Sequence, residues 1–133
     1  MIKELHFRTP SRAVLHDITS QVQAAIREAK TESGLCNLYV PHTTAGLTIN
    51  ENYDPSVCQD ILQRLEALVP MNGHYSHSEG NADAHIKASL MGHTATLMIE
   101  KGQLVLGTWQ GIFLAEFDGP RSRRVLVKIT ATP

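Results

Sequence analysis

Apolar and polar residues alternate along residues 2–8 and 12–17, the two-residue period of strands with one buried face. After Asp17 the period changes. Ile18, Val22, Ala25, Ile26 and Ala29 recur at helical spacing, which predicts a helix with one core-facing stripe, N-cap candidates at Asp17, Thr19 and Ser20, and a stop at Ser33-Gly34. Alternation resumes from Gly34 to Pro41 and places Leu38, Val40 and His42 on one strand face. A turn through 43–46 leads into LTIN, with Leu47, Ile49 and Glu51 on one side and Thr48 and Asn50 on the other. Asp54-Pro55 opens a second helix, with Pro where its missing N–H costs nothing; Val57, Ile61, Leu62, Leu65 and Leu68 form its stripe and Pro70 ends it.

Residues 70–80 (PMNGHYSHSEG) are polar and predict a loop. Asn81 or Asp83 caps a short helix, AHIKASL, which Gly92 terminates. The remainder predicts strands: TATLMIE, a Lys101-Gly102 turn, QLVLG, then GIFLAEFD and RRVLVKITAT around an Asp-Gly-Pro turn. Strands and helices do not alternate regularly as in βαβ units. The pattern therefore predicts one compact α+β domain over residues 1–133, a largely antiparallel sheet with two to three helices.

Composition narrows the functional classes. Hydrophobic residues are 42% of the 133 and charged residues 19%, a globular profile. Twelve Lys+Arg against thirteen Asp+Glu leave no basic excess for nucleic acid. No apolar run approaches a bilayer span and no signal-peptide pattern opens the chain, so a cytoplasmic protein without membrane partners is expected. Cys36 and Cys58 lack a CxxC neighbour, which predicts two reduced, buried, apolar residues. One Trp, three Tyr and three Phe make a thin core, and burial of a sheet face against a second copy would add to it. Trp109 is read as a packing residue.

No GxGxxG, Walker A, GxSxG, HExxH or EF-hand pattern is present. Three polar clusters remain. In PHTTAGLTINENYD (41–54), a His at a strand end precedes two hydroxyls and Asn50, Glu51, Asn52 and Asp54, a set suited to metal ligation or acid–base work. HYSHSEGNADAHIK (74–87) holds His74, His77 and His85 with Glu79, Asp83 and Lys87, donors that suit Zn, Mn, Fe or Ni more than Mg. On a helix Asn81 and His85 share a face, whereas Asp83 and His85 diverge by about 200°, so their joint ligation requires Asp83 at the cap. In GTWQG and AEFDGPRSRR (107–124), Glu116 and Asp118 share the face of Ile112 and Leu114, with Arg121, Arg123 and Arg124 near enough to pair with them or grip an anion. Each cluster also has a plain reading, as a satisfied histidine, a solvated loop or a surface turn with local ion pairs.

Three segments in order, HTTAGLTINEN (42–52), SEGNADAHIKASLMG (78–92) and GTWQGIFLAEFDGPR (107–121), resemble the YjbQ family of secondary thiamine-phosphate synthases along nearly the whole chain. The resemblance implies a compact α+β protein that assembles as a homotrimer. It also implies a transferase that joins hydroxymethylpyrimidine diphosphate to thiazole phosphate and releases pyrophosphate, with that activity secondary to another. His42, Asn81, Asp83 and His85 are then the expected polar centre, with Glu51, Lys87, Glu116 and Arg121 around it. The expected divalent metal (Zn, Mn or Mg) sits on His42, Asp83 and His85. Arg121 or Lys87 binds phosphate, Thr43, Thr44, Asn50 and Asn81 contact substrate, and Glu51 or Glu116 orients a ring or a proton. Two alternatives stand beside this: a metal-dependent hydrolase of a small phosphorylated metabolite, and a non-catalytic anion-binding or metabolite-binding oligomer.

Overall fold

The computed structural model describes residues 1–133. In chain order the elements are β1 (Ile2–Arg8), β2 (Val14–Asp17), α1 (Thr19–Ala29), β3 (Gly34–Tyr39), β4 (Ala45–Glu51), α2 (Pro55–Leu68), α3 (Ala82–Met91), β5 (Thr94–Glu100), β6 (Gln103–Leu104), β7 (Gln110–Glu116) and β8 (Ser122–Ala131). They form two antiparallel sheets, a five-stranded one ordered β1-β8-β3-β5-β6 and a three-stranded one ordered β2-β7-β4. The predicted α+β class is the one observed, with three helices where two to three were expected and two antiparallel sheets where one was expected.

Strand β7 is buried from Gly111 to Glu116, because both of its faces are covered. Its Ile112 and Leu114 join Ala45 and Leu47 of β4 against the inner face of the larger sheet, where Cys36, Leu38, Val125, Val127, Leu97 and Ile99 lie. Helix α1 closes this core with Val22, Ala25 and Ile26. On the opposite face Phe113 and Ala115 form a second core with Leu15, Phe117, Ala84 and Ala88. Each fully buried aliphatic side chain contributes about 1.5–3 kcal/mol, so the first core carries most of the stability.

Helix α2 begins as expected, with the Asp54 side chain accepting from the Ser56 N–H at 2.9 Å and Pro55 in the first turn. It buries no residue completely; Cys58, Ile61, Leu62 and Leu65 are half-covered against the second core. Cys58 is therefore only partly buried, unlike the expectation for it, whereas Cys36 lies in the first core. There burial pushes its thiol pKa up to about 11. Two further expectations need correction. The strand expected over 12–17 begins at Val14, because Arg12 leaves the sheet for an ion pair with Asp83. QLVLG shrinks to Gln103–Leu104, after which the chain turns away. No helix is long and apolar enough to cross a membrane.

Strand β4 starts at Ala45, inside the stretch expected to be a turn, and Gly46 explains how it fits. Helix α3 ends so close that a Cβ on Gly46 would stand 2.4 Å from the Gly92 carbonyl oxygen. Backbone against backbone cannot yield as a flexible side chain can. Gly46→Ala is expected to force α3 off the sheet and cost about 1–3 kcal/mol, read as a lower urea midpoint with an unchanged slope.

Candidate functional site

The last residues of β7 gather the polar chemistry of the chain. Glu116 continues the inward face of Ile112 and Leu114 and reaches the space between the sheets, where it is fully buried. Five donors surround it. Its Oε1 accepts from Thr9 Oγ1 at 2.7 Å and Arg123 Nε at 2.8 Å; its Oε2 accepts from Arg123 Nη2 at 2.5 Å and the N–H groups of Phe117 and Asp118 at 3.1 and 3.0 Å. Burial pushes this carboxyl's pKa up, but the bonds from Arg123, Thr9 and Asp118 outweigh it and leave it below the ordinary carboxylate value. Arg123 Nη2 also donates to Thr44 Oγ1 at 2.7 Å, and the Phe117 N–H donates to the Thr44 carbonyl at 3.2 Å. Glu116 thus holds the HTT segment and the 117–118 turn in place. Its acceptor sites are filled and it is fully buried, so in this arrangement it holds neighbouring segments in place.

Asp118, held by Glu116 through its N–H, accepts on Oδ2 from Asn81 Nδ2 at 2.8 Å and from Arg121 Nη2 at 2.9 Å. Arg121 Nε bonds the Asp118 carbonyl at 2.8 Å, and its guanidinium stays half-exposed. Asn81 is the residue before α3, and its amide is turned by Asp118 so that Oδ1 is buried without a partner. The N–H groups of Ala82 and Asp83 precede the first intrahelical bond, which Asn81's carbonyl accepts from Ala84 and His85. One turn on, His85 is half-buried with its ring 5.1 Å from that of His77. His74 and His77 are both exposed in the loop before α3.

Asp83 lies inside the helix, on the side away from Asn81 and His85. It is fully buried, bonded by Arg12 Nη2 at 3.1 Å, Arg12 Nη1 at 3.3 Å and Lys87 Nζ at 2.8 Å. Burial raises its pKa, but Arg12 and Lys87 lower it further, so the net shift is downward. Lys87 is itself buried and reaches Glu66 at 2.7 Å. Both of its contacts are carboxylates, so its charge is paired within the chain. Arg12 and Glu66 complete this network, and so does Thr9 the first one. Sequence reading missed all three, since their partners lie 71, 21 and 107 positions away with no local pattern to connect them.

His42 accepts from the Arg124 N–H at 3.0 Å on Nε2, capping a donor of β8 beyond the end of β3. Burial and the charges of Arg123 and Arg124 push its pKa down, so the ring is neutral. Thr43 is exposed beside it. The expected metal triad does not form within this chain. His42 has Nε2 engaged, Asp83 has both oxygens on cations, and His85 projects from the other side of α3 because Asn81, not Asp83, is the cap. No three His, Cys, Asp or Glu side chains gather closely enough to hold a metal ion. Asn50 and Glu51 are also separate. They end β4, six residues and about 20 Å from Ala45. There Glu51 Oε2 accepts the Asp54 N–H at 3.2 Å, and Asn50 Oδ1 accepts the Glu51 N–H at 2.7 Å. Trp109 shares that end and is 55% exposed, not packed as expected, because it belongs to the turn before β7.

Comparison with known proteins agrees with the three sequence segments. A family model described as UPF0047 protein YjbQ-like matches residues 3–132. A UPF0047 protein of Methanocaldococcus jannaschii is 54% identical over 97% of this chain and 94% of its own length. The UPF0047 protein YugU of Bacillus subtilis is 45% identical over 97% and 98%. Among solved structures, an uncharacterized YjbQ/UPF0047 protein from Clostridium acetobutylicum superposes with a TM-score of 0.94 at 51% identity, covering 96% of this chain and 99% of that one. A protein of unknown function from Sulfolobus solfataricus gives a TM-score of 0.94 at 32% identity, over 99% and 97%.

Two outcomes test the buried pairs. Arg123→Met removes the one cation bonded to the buried Glu116 carboxylate and leaves it only Thr9 and two backbone N–H groups, and should cost about 3–5 kcal/mol in urea unfolding. Glu116 and Asp83 both titrate below their ordinary values of 4.5 and 3.8, so the unfolded chain binds protons first as pH falls. Their stabilisation is complete above those ordinary values and disappears as pH drops through the folded ones. Melting temperature should therefore fall between about pH 5 and pH 2, with a shallower fall in Glu116→Gln.

Proposed function

The chain belongs to the YjbQ-like UPF0047 family, and from that premise we propose that it is a transferase acting on small phosphorylated heterocycles at the end of β7. The reaction proposed is the joining of hydroxymethylpyrimidine diphosphate to thiazole phosphate. A C–N bond forms between the thiazole nitrogen and the pyrimidine methylene carbon. The C–O bond to diphosphate breaks, and the diphosphate leaves with the electron pair. The observation that carries this reading is the buried, unpartnered Oδ1 of Asn81. An orphaned buried acceptor costs about 1–3 kcal/mol, and a ligand N–H such as the pyrimidine amino group would satisfy it.

Around that atom the chain offers what an anionic leaving group needs. The free N–H groups at the start of α3 and the half-exposed guanidinium of Arg121 supply positive potential beside Asn81. The state of the carboxylates favours transfer over hydrolysis. A hydrolase must take a proton from water, whereas Glu116, Asp83 and Asp118 are each committed to a guanidinium. Attack by a ring nitrogen requires no base. His42, kept neutral by its neighbours, borders the site without adding to its charge.

Self-association as a homotrimer belongs to the same proposal. The outer face of the larger sheet exposes Leu35 and Met98, the latter 65% exposed, together with a depression lined by Ile2, Tyr39 and Leu126. A face of this kind supports burial against a neighbour. Light scattering should then return three chain masses.

The activity is tested by supplying the two substrates and measuring thiamine phosphate after oxidation to its fluorescent thiochrome. Product should form, and Arg121→Met should lower kcat/KM by about 10²-fold, since an exposed arginine is lost without unfolding the chain. Calorimetric binding without product would instead identify a non-catalytic metabolite binder. Unchanged turnover in Arg121→Met would remove Arg121 from the phosphate site.

A further inference from the structure

The opposite end of the smaller sheet has chemistry of its own. Where β4 ends, the Asn52 N–H bonds the Trp109 carbonyl at 3.1 Å, joining the loop after β4 to the turn before β7. This brings Tyr53 beside Trp109, with ring centroids 5.2 Å apart and planes inclined at 57°. Both rings are open to solvent, 76% and 55% exposed. Together with Glu51, Asp54 and Pro55 they line an open cleft of about 630 Å³. Glu51 and Asp54 each use one carboxylate oxygen to fix the local backbone, the first on the Asp54 N–H and the second on the Ser56 N–H. The other Glu51 oxygen has no hydrogen-bond partner in the chain, and the Asp54 carboxylate is further bonded only by the Ser56 side chain. Asp17 lies outside the lining of this cleft and accepts from the Asn52 side chain at 3.1 Å. None of the three carboxylates forms an ion pair with Lys, Arg or His.

We propose that this cleft binds a compact organic cation, a methylated ammonium group, against the faces of Trp109 and Tyr53 with Glu51 and Asp54 as counter-charges. Aromatic faces carry negative potential, and carboxylates at the rim reinforce it. At 5.2 Å the rings are in contact, so a ligand meets their solvent-exposed surfaces and does not enter between them. The site is independent of the phosphate-binding reading, because about 20 Å of strand separates the two.

Trp109 is the only tryptophan, so its emission reports on the cleft alone. Tetramethylammonium chloride is the probe, tert-butanol the uncharged molecule of the same shape, and sodium chloride the control for ionic strength. The expected result is a saturable change in emission with tetramethylammonium, half-complete on the order of millimolar, and none with the other two. Glu51→Gln keeps the acceptor for the Asp54 N–H and removes only charge; Tyr53→Ala removes an exposed ring. Each should raise the half-saturating concentration by about threefold or more. An equal response to tert-butanol, or an unchanged midpoint in both variants, would overturn the proposal. So would emission that shifts on dilution of the protein and ignores the cation, since a second copy would then be covering the cleft.

Discussion

The ion pair between Glu116 and Arg123 is the constraint on which the arrangement of this protein depends. It sits between the two sheets, where charge is costly to bury, and it persists because each carboxylate oxygen is filled. A hydrophobic pair of similar volume could join the sheets without that penalty. The pair does something such a replacement could not. Its surplus donors and acceptors extend to Thr9 at the end of β1, Thr44 before β4 and the Asp118 amide after β7, so segments remote in sequence meet with defined orientation. Close approach of the backbone is part of the same arrangement. A Cβ on Gly119 would lie 2.3 Å from the Ser11 carbonyl and 2.9 Å from Glu116 Cγ, so the turn that carries Asp118 and Arg121 packs directly on the pair.

From that anchor the polar end of the molecule can be followed bond by bond. Glu116 fixes Asp118; Asp118 turns the Asn81 amide and tethers Arg121; Asn81 begins α3 and so sets where His85 and Asp83 point. The helix then divides its own polar residues. Asp83 and Lys87 go inward to Arg12 and Glu66, where they dock α3 against α2, and His85 remains near the surface with His77. Residues adjacent in the sequence thus have different work: one set attaches the helix, the other borders the site.

Much of this was legible in the sequence. The core faces of β3, β4, β7 and β8, the stripe of α1 and the Asp54-Pro55 start of α2 all follow from periodicity and capping. The sharing of one face by Glu116, Ile112 and Leu114 follows from the strand period alone. What periodicity does not carry is the partner. Glu116 and Asp83 look like free carboxylates along the chain, and only the fold shows that Arg123 and Arg12 occupy them. The same limit separated His42 from Glu51. They lie nine positions apart in sequence, but a seven-residue strand between them sets them at opposite ends of a sheet. Trp109 was misjudged for a related reason, since composition says how often a tryptophan is packed and nothing about a turn that holds it out.

Asn81 is the exception to this otherwise closed accounting of polar groups. At the start of a helix an asparagine oxygen ordinarily accepts an N–H from the first turn, which satisfies donor and acceptor at once. Here Asp118 draws the amide nitrogen away, the oxygen stays buried and unbonded, and the first N–H groups of α3 stay unbonded beside it. The Asn81–Asp118 bond therefore leaves Asn81 Oδ1 without the first-turn donor that a capping asparagine takes. An unpartnered buried acceptor in an otherwise satisfied network is where a ligand donor gains most, because it completes a bond without displacing an existing one. In the proposed transferase reaction, a phosphorylated aminopyrimidine would supply an N–H donor and an anionic group together.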